Sequence, residues 1–519
     1  MLLKIDNYLL TIIHTGRNRT KLYGVTSSMK RTGLFLSTAI LAACASSPAS
    51  VTRMAGEKVA FFAAAPDAPA TWAANGVTGT APQGNWIAQF NDPRMQTLIE
   101  EALTANPSLE ARAAAVRSSA ASTRLARSAG RPSLSATASA GGTSNRFDTG
   151  ATSSRITDPT FGLGLDASWE LDLWNRIGSA INEADAELLA SEADLEAAEL
   201  SIAAQTAISW INLNAALAQQ RVAVQTYEAR NRLSILTERR FQSGLATALD
   251  VRTARSELAG AEASIANRQQ ASGEAARRLE LLLGRYPSAE LEAPAELPIL
   301  TEITVMGNPA LLLSRRPDIA AQEARIVAAG LRAEQARLAM LPSLRLTASA
   351  STTEDNLTDV FDPKQIAARA IASLVQPFFT GGQLDAQRDA AIANAEFAVA
   401  NYASAVLTAW REVEDALAAD TFLARQEDAQ LRALDEARFA EELAERSYAS
   451  GTTTIFDLLN AQTRRLNAES QVIFARTSRA TNRISYYLSL GGEGLQTLAV
   501  DSAATLSPTI PVILEEEPA

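Results

Sequence analysis

The chain has 519 residues, 47% of them hydrophobic but only 6% aromatic, and a net charge of −11 at pH 7. The acidic balance argues against nucleic acid as a general partner, and alanine-rich, aromatic-poor tracts point to long helices rather than a large aromatic core. No run of about 18 or more consecutive apolar residues occurs, which excludes a spanning helix but leaves open a β-barrel, whose strands are short and half apolar.

The first element in chain order is a processing signal. From Met29 the chain reads MKRTGLFLSTAILAACASS, two basic residues, an apolar run from Leu34 to Ala43, then a cysteine among small residues. That layout predicts a signal peptide over 1–43, with Met29 as an alternative true start, and it is too short for an anchor helix. Leu41-Ala42-Ala43-Cys44 resembles a bacterial lipobox, which implies cleavage before Cys44 and lipid on its sulfur. Ala45, rather than an aspartate, favours the outer membrane, and a plain signal with an incidental cysteine is the alternative. The only histidine, His14, falls in the discarded part, and Cys44 is the only cysteine. Zinc sites of the usual ligands and Ser-His-Asp or Cys-His nucleophiles are therefore excluded. A carboxylate-only enzyme has no motif here, so the expectation is no catalysis, no metal and no cofactor beyond the covalent lipid. Residues 44–93 read as a lipidated linker and equatorial segment.

Beyond it the chain repeats itself. PSLSATASA, Pro132 to Ala140, returns as PSLRLTASA at Pro342 to Ala350, with seven of nine residues shared across 210 positions. Asn106-Pro107-Ser108-Leu109 and Arg316-Pro317-Asp318-Ile319 open helical patterns at the same offset, each with the early proline that a helix start prefers. ERRFQSGLATALDVRTARSELAGAE at Glu238 is matched 207 residues later by ERSYASGTTTIFDLLNAQTRRLNAE at Glu445. These blocks predict an internal duplication, 94–290 and 305–492, joined by a linker at 291–304.

Each copy predicts the same order of elements. A short helix (108–130 or 316–340) leads into a period-2 strand (about 132–143 or 342–352), where Leu134, Ala136, Ala138 and Ala140 alternate with polar residues as Leu344, Leu346, Ala348 and Ala350 do. A polar loop, NRFDTGATSSRITDPT or TTEDNLTDVFDPKQ, precedes a second strand at about 161–172 or 367–377. No proline then occurs between Pro159 and Pro287, or between Pro377 and Pro508. Those spans predict paired helices, 178–243 with 247–284 and 384–450 with 454–489, turning at Gly244 and Gly451. At ~1.5 Å per residue each first helix runs roughly 100 Å, and a short helix plus a return helix totals about 90 Å. Each copy thus suits a hairpin of one continuous strut and one spliced strut. The tail, 493–519, reads as partly disordered.

Two copies supply four strands of outer-membrane length. Four strands cannot close a barrel, and open edges in lipid leave backbone groups unpaired. Closure demands several chains, and three would provide twelve strands and twelve helical struts. The alternatives are a soluble alanine-rich coiled coil and a small soluble sheet of Ser/Thr-rich strands.

Several motifs resemble the TolC-like outer-membrane factors, specifically the NodT-type efflux lipoproteins. They are WIAQFNDP (Trp86–Pro93) leading to LIEEALTANPSL, SWELDLWNR (Ser168–Arg176), RRPDI (Arg315–Ile319), QPFFTGG (Gln376–Gly382) and the two Ser-Gly tip blocks. Asn175 departs from the glycine usual before that arginine. The resemblance covers nearly all of the mature chain. It implies an α+β membrane protein, a homotrimeric channel-tunnel with a twelve-stranded barrel in outer-membrane lipid and a long periplasmic helical barrel. It also implies a periplasmic adaptor protein and an inner-membrane pump, of resistance-nodulation-division type, as partners.

The resemblance also implies site residues. Gly244-Leu245 and Gly451-Thr452 map onto the adaptor contact. Asp457 maps onto an acidic ring constricting the pore, weakened here by Asn460 where a second acid is common. Tyr448 and Asp250 match two members of a latch between hairpins whose arginine is replaced by Thr453, so any Tyr448–Asp250 latch is expected to be a hydrogen bond without charge pairing, with closure resting on other contacts. As alternatives, Asp250 and Asp457 serve only the helix dipole. Trp169 and Trp174 suit either an interfacial aromatic belt or core packing. Rival functions are protein secretion of the type I kind and a lipid-anchored periplasmic coiled-coil scaffold; the transported substrate is not legible.

Overall fold

The computed structural model describes residues 71–74, 77–78, 86–148, 153–301, 303–305 and 309–492, all within the second of two units, residues 59–519. Two helices come first, α1 (Pro93–Ala105) and α2 (Pro107–Ala129). A hairpin follows, β1 (Ser133–Asp148) with β2 (Ser153–Leu171). The long helix α3 (Arg176–Gln242) then turns into α4 (Ala248–Leu282). The second half presents α5 (Pro317–Leu338), β3 (Ser343–Glu354), β4 (Ala367–Val375), α6 (Gln383–Ser450) and α7 (Ile455–Ser489). The element order after α1 is thus the same in both halves. At 67 and 68 residues, α3 and α6 each extend roughly 100 Å.

Two differences from the sequence expectation stand out. Residues 93–105 form a helix that the motif reading does not separate from its neighbour. It forms because Asp92 caps it, its carboxylate accepting from the amides of Arg94 and Met95 at 3.0 and 3.1 Å, and Pro93 suits the first turn. The first hairpin is also longer than expected, because residues 144–148 and 153–160, read as loop, pair as strand. Pro159 is compatible with this because β3 pairs with β2 only from Phe161 onward. Proline therefore sits where the strand has one neighbour and no ladder donor is needed.

The four strands form one antiparallel sheet in the order β1-β2-β3-β4. Register sorts its faces. Leu134, Ala136 and Ala138 share a face with Leu163, Leu165, Trp169, Leu344 and Leu346, and the other face carries Ser133, Thr137, Asp166, Glu170, Arg345 and Arg369. On the polar face Gly162 and Gly164 lie opposite Ser139 and Thr137, whose hydroxyls would stand 2.8 and 2.7 Å from an added Cβ. Glycine permits that close approach.

On the helical side α3 packs against α2, α4, α5 and α7, while α6 packs against α5 and α7. The main apolar core gathers where these helices meet the 3-10 turn Trp86–Phe90, with Trp210, Met95, Ile99, Ile319, Ile484 and Tyr486 fully enclosed. Asp92 also accepts from the Trp210 indole at 2.6 Å, which ties the WIAQFNDP motif to the middle of α3. The spliced struts are closed by residues 210 positions apart in the chain. Asn106, before α2, donates to the Leu282 carbonyl at 2.8 Å; Arg316, before α5, donates to that of Ser489 at 3.1 Å. Gly284 and Gly491 complete the joints at positive φ, where an added Cβ would overlap the Ala105 oxygen and stand 2.7 Å from the Arg315 oxygen, respectively. Only glycine fits both that φ and that contact.

No helix among the described residues is long and apolar enough to cross a membrane.

Candidate functional site: the paired hairpin tips

Both long helices end in the same device. Gly244 and Gly451 adopt φ of 71° and 79°. The amides of Leu245 and Thr452 reach back to the carbonyls of Arg240 and Ser447 at 2.8 and 3.0 Å, the wide bond of a Schellman ending. The return helices then start with capping boxes. Thr247 and Asp250 exchange bonds at 2.8 and 3.2 Å; Thr454 and Asp457 do so at 3.0 and 3.4 Å. The Thr454 hydroxyl and amide bonds hold the Asp457 carboxyl below the usual carboxylate range. Asp457 on the first turn of α7 and Asn460 on the second are exposed, as are Gly244, Leu245, Gly451 and Thr452 at the turns.

The two tips lie side by side, joined at Tyr448 by Arg240 and Thr237, neither of which the motif reading selects. Arg240, in the last turn of α3, donates to the Tyr448 carbonyl at 2.6 Å. Its guanidinium also sits over the Tyr448 ring, 4.7 Å from the centroid. The Tyr448 side chain is buried, and its hydroxyl pairs with the Thr237 hydroxyl at 3.1 Å. Tyr448 and Asp250 therefore do not bond each other in this structure. Tyr448 turns inward to α3, and Asp250 is occupied by its own helix cap. Thr453, standing where a latch arginine was expected, buries its hydroxyl without a hydrogen bond; Arg240 brings a cation to the tip from the opposite hairpin. The residue 207 positions later is Ser447 rather than an arginine, so the matching tip blocks do not mark Arg240.

Apolar support at the tip is small: Leu233, Ala254, Tyr448, Ile455, Leu458 and Leu459. Higher up, buried Arg230 on α3 donates to Gln462 at 2.8 Å and Thr463 at 3.0 Å on α7. The Arg465 guanidinium bridges Glu441 and Glu469 between α6 and α7.

At the other end of α3, Trp169 and Trp174 are partly exposed and donate to the carbonyls of Gly130 (3.1 Å) and Pro342 (2.7 Å). Their polar handles thus tie the strand–helix junctions while the rings stay near the surface. Asn175 takes φ 63° there, a left-handed conformation that asparagine tolerates almost as glycine does. Cys44 and His14 lie outside the described residues.

A sequence model of the outer membrane efflux protein family matches this chain twice, over residues 98–285 and 308–492. The chain belongs to that family. It is 32% identical over 475 residues to the pyoverdine export outer membrane protein OpmQ of Pseudomonas aeruginosa, covering 90% of this chain and 97% of OpmQ. The cation efflux system protein CusC of Escherichia coli is 28% identical over 408 residues, 78% of this chain and 88% of its own. Among solved structures, the outer-membrane channel OprN superposes with a TM-score of 0.72 at 29% identity, covering 82% of this chain and 97% of that one.

Proposed function

We propose that this efflux protein is the passive exit duct of a three-part assembly and that it works as a ring of three chains. The observation that carries this reading is a pair of open edges. Among the described residues, β1 and β4 each have only one partner in the sheet. On the helical side the chain ends laterally in α2 and α4 at one edge and in α6 at the other. The β1, α2 and α4 edge of one copy would meet the β4 and α6 edge of the next, a head-to-tail contact that closes only as a ring. Two copies would give eight strands, whose interior side chains fill; three give twelve, wide enough for a lumen. The apolar sheet face then meets lipid, and the polar face with Asp166, Glu170, Arg345 and Arg369 lines the pore.

A lipid on Cys44 anchors the chain in the outer membrane, and the helices reach into the periplasm. The exposed turns Gly244-Leu245 and Gly451-Thr452 meet a periplasmic adaptor, which couples the duct to an inner-membrane pump of the resistance-nodulation-division type. Asp457, repeated three times around the axis, would draw cations and repel its copies, so closure rests on contacts such as Arg240–Tyr448. The duplicated joints at Asn106 and Arg316 support descent of both halves from one unit. OpmQ is described for pyoverdine export and CusC for cation efflux, so chemically distant cargo suits one architecture and selection falls to the pump.

The test is the protein mass of the detergent-solubilised particle by light scattering, with detergent subtracted. Three chains are expected; a monomer stable in detergent would sink the ring.

A further inference from the structure

Two constant offsets relate the halves of the chain, and they hold for contacts as well as for residues. Asn106 donates to the Leu282 carbonyl as Arg316 does to that of Ser489. Trp169 donates to the Gly130 carbonyl as Gln376 does, at 3.1 Å, to that of Met340. Positions around α2 and β1 recur 210 residues later, and those from β2 to α4 recur 207 later.

What differs between the halves is what covers them. Near the sheet α3 lies between α2 and α5, whereas among the described residues α6 has only α5 beside it and α2 only α3. Ser179, Ala186 and Ala190 of α3 are buried, but their counterparts on α6, Ala386, Ala393 and Phe397, are exposed. Ala321 and Ala328 of α5 are buried, and their counterparts on α2, Ala111 and Ser118, are exposed. The bare positions on α6 and α2 are therefore those that the α3–α5 seam covers inside the chain.

We propose that the internal seam is the template for the one between copies: α6 and β4 of one chain dock on α2 and β1 of the next as α3 and β2 dock on α5 and β3. The proposal rests on the ring of three chains and adds its register. Inside the chain Phe161 stands opposite Glu354 and Ser168 opposite Thr347. The two offsets carry these pairs to Ala368 opposite Ser144 and Val375 opposite Thr137 of the next copy. Leu374 then meets Ala138, so the apolar face of the sheet runs on across the seam. Lower down, Gln219 donates to the Ser470 carbonyl at 3.2 Å. Its counterpart Gln426 is exposed and reaches the Ala263 carbonyl of the next copy.

The two seams differ in chemistry. Inside the chain Arg325 meets Asp194, and Arg332 meets Glu183 and, at 3.4 Å, Glu187. The counterparts are Ala115 and Ser122 on α2 and Asn401, Ala390 and Asn394 on α6, all uncharged. Phe397 adds bulk where α3 carries Ala190. The edges that meet between copies thus bury apolar surface and strand none of these charges.

The experiment uses the full-length protein with Cys44 kept and two cysteines added per chain, each cysteine alone giving the background. Residues directly opposite on paired strands lie within disulfide reach, whereas six positions along a strand amount to ~20 Å. Mild oxidation should link Val375→Cys with Thr137→Cys into a three-chain species on denaturing gels, and should leave Val375→Cys with Thr143→Cys unlinked. Linkage of the second pair instead, or of neither, would overturn the proposed register. If the strand variants fail to assemble, Asn401→Cys with Ala115→Cys and a short bis-maleimide read the same seam on the helices; linkage is expected, and its absence counts against the seam. Light scattering on the unlinked particle separates the two readings. A three-chain particle that links wrongly sinks the seam alone, whereas a monomeric particle sinks the ring.

Discussion

The middle of the long helices and their tips share α3, α4, α6 and α7 but are held together by opposite means. Around Trp210 the helices enclose a large apolar core, flanked by a buried ionic network. There Arg483 meets Asp420 at 3.1 Å, Arg479 meets Glu427 at 2.9 Å, and both arginines donate to the Thr301 carbonyl of the linker. At the tips the apolar cluster has six buried residues with Ala444 packed against it, and polar contacts across the hairpins supply much of the joining. Regions with little apolar burial open at lower free energy than the global transition. The comparison teaches where motion is allowed: the middle holds the struts together, and the tips separate first.

The largest expected effect breaks the middle. Asp420→Ala leaves buried Arg483 without its carboxylate, and removing one partner of such a pair costs about 3–5 kcal/mol. Chemical unfolding followed by circular dichroism should register that loss, while single-channel leak stays unchanged. If stability is unaltered, the network does not hold the linker to α6 and α7.

A smaller effect isolates the tip. Arg240→Ala removes a charge-assisted bond and the stacking on Tyr448, together about 2–3 kcal/mol of hairpin joining. Conductance in planar bilayers should rise, with global unfolding nearly unmoved. A large drop in global stability with no change in conductance would make Arg240 part of the core instead.

The smallest effect sharpens the tip further through pH. The Asp457 carboxyl is depressed in the folded chain, with Thr454 as the cause. Its contribution is therefore complete above the ordinary aspartate value of about 3.9, and is lost as pH falls through the lower folded value. After correction for intrinsic exchange, amides of the first turn of α7 should exchange faster below about pH 4, and Asp457→Asn should remove that dependence. Identical profiles for the two proteins would separate Asp457 from the stability of its helix start.

Much of this fold is legible in local patterns. Proline-free spans, the Ser-Gly turns and threonine three places before aspartate mark helix ends, because capping satisfies backbone groups within a few residues. The period-2 segments mark strands, although the outer half of the first hairpin reads as loop, since its polar residues and Pro159 look like turn chemistry until the missing neighbour is known. The tip turns and capping aspartates are legible for the same local reason. Arg240 is not, because its importance comes from Tyr448 on the other hairpin, 208 positions away.

By itself the sequence determined the helix spans, the strand periodicity and the turns at Gly244 and Gly451, all consequences of short-range hydrogen bonding and period. Only the tertiary structure decided which charges are buried together, which face of the sheet is crowded, and that Tyr448 faces Thr237 rather than Asp250. Those outcomes depend on partners far apart in the chain, where desolvation and packing, rather than local preference, select the contact.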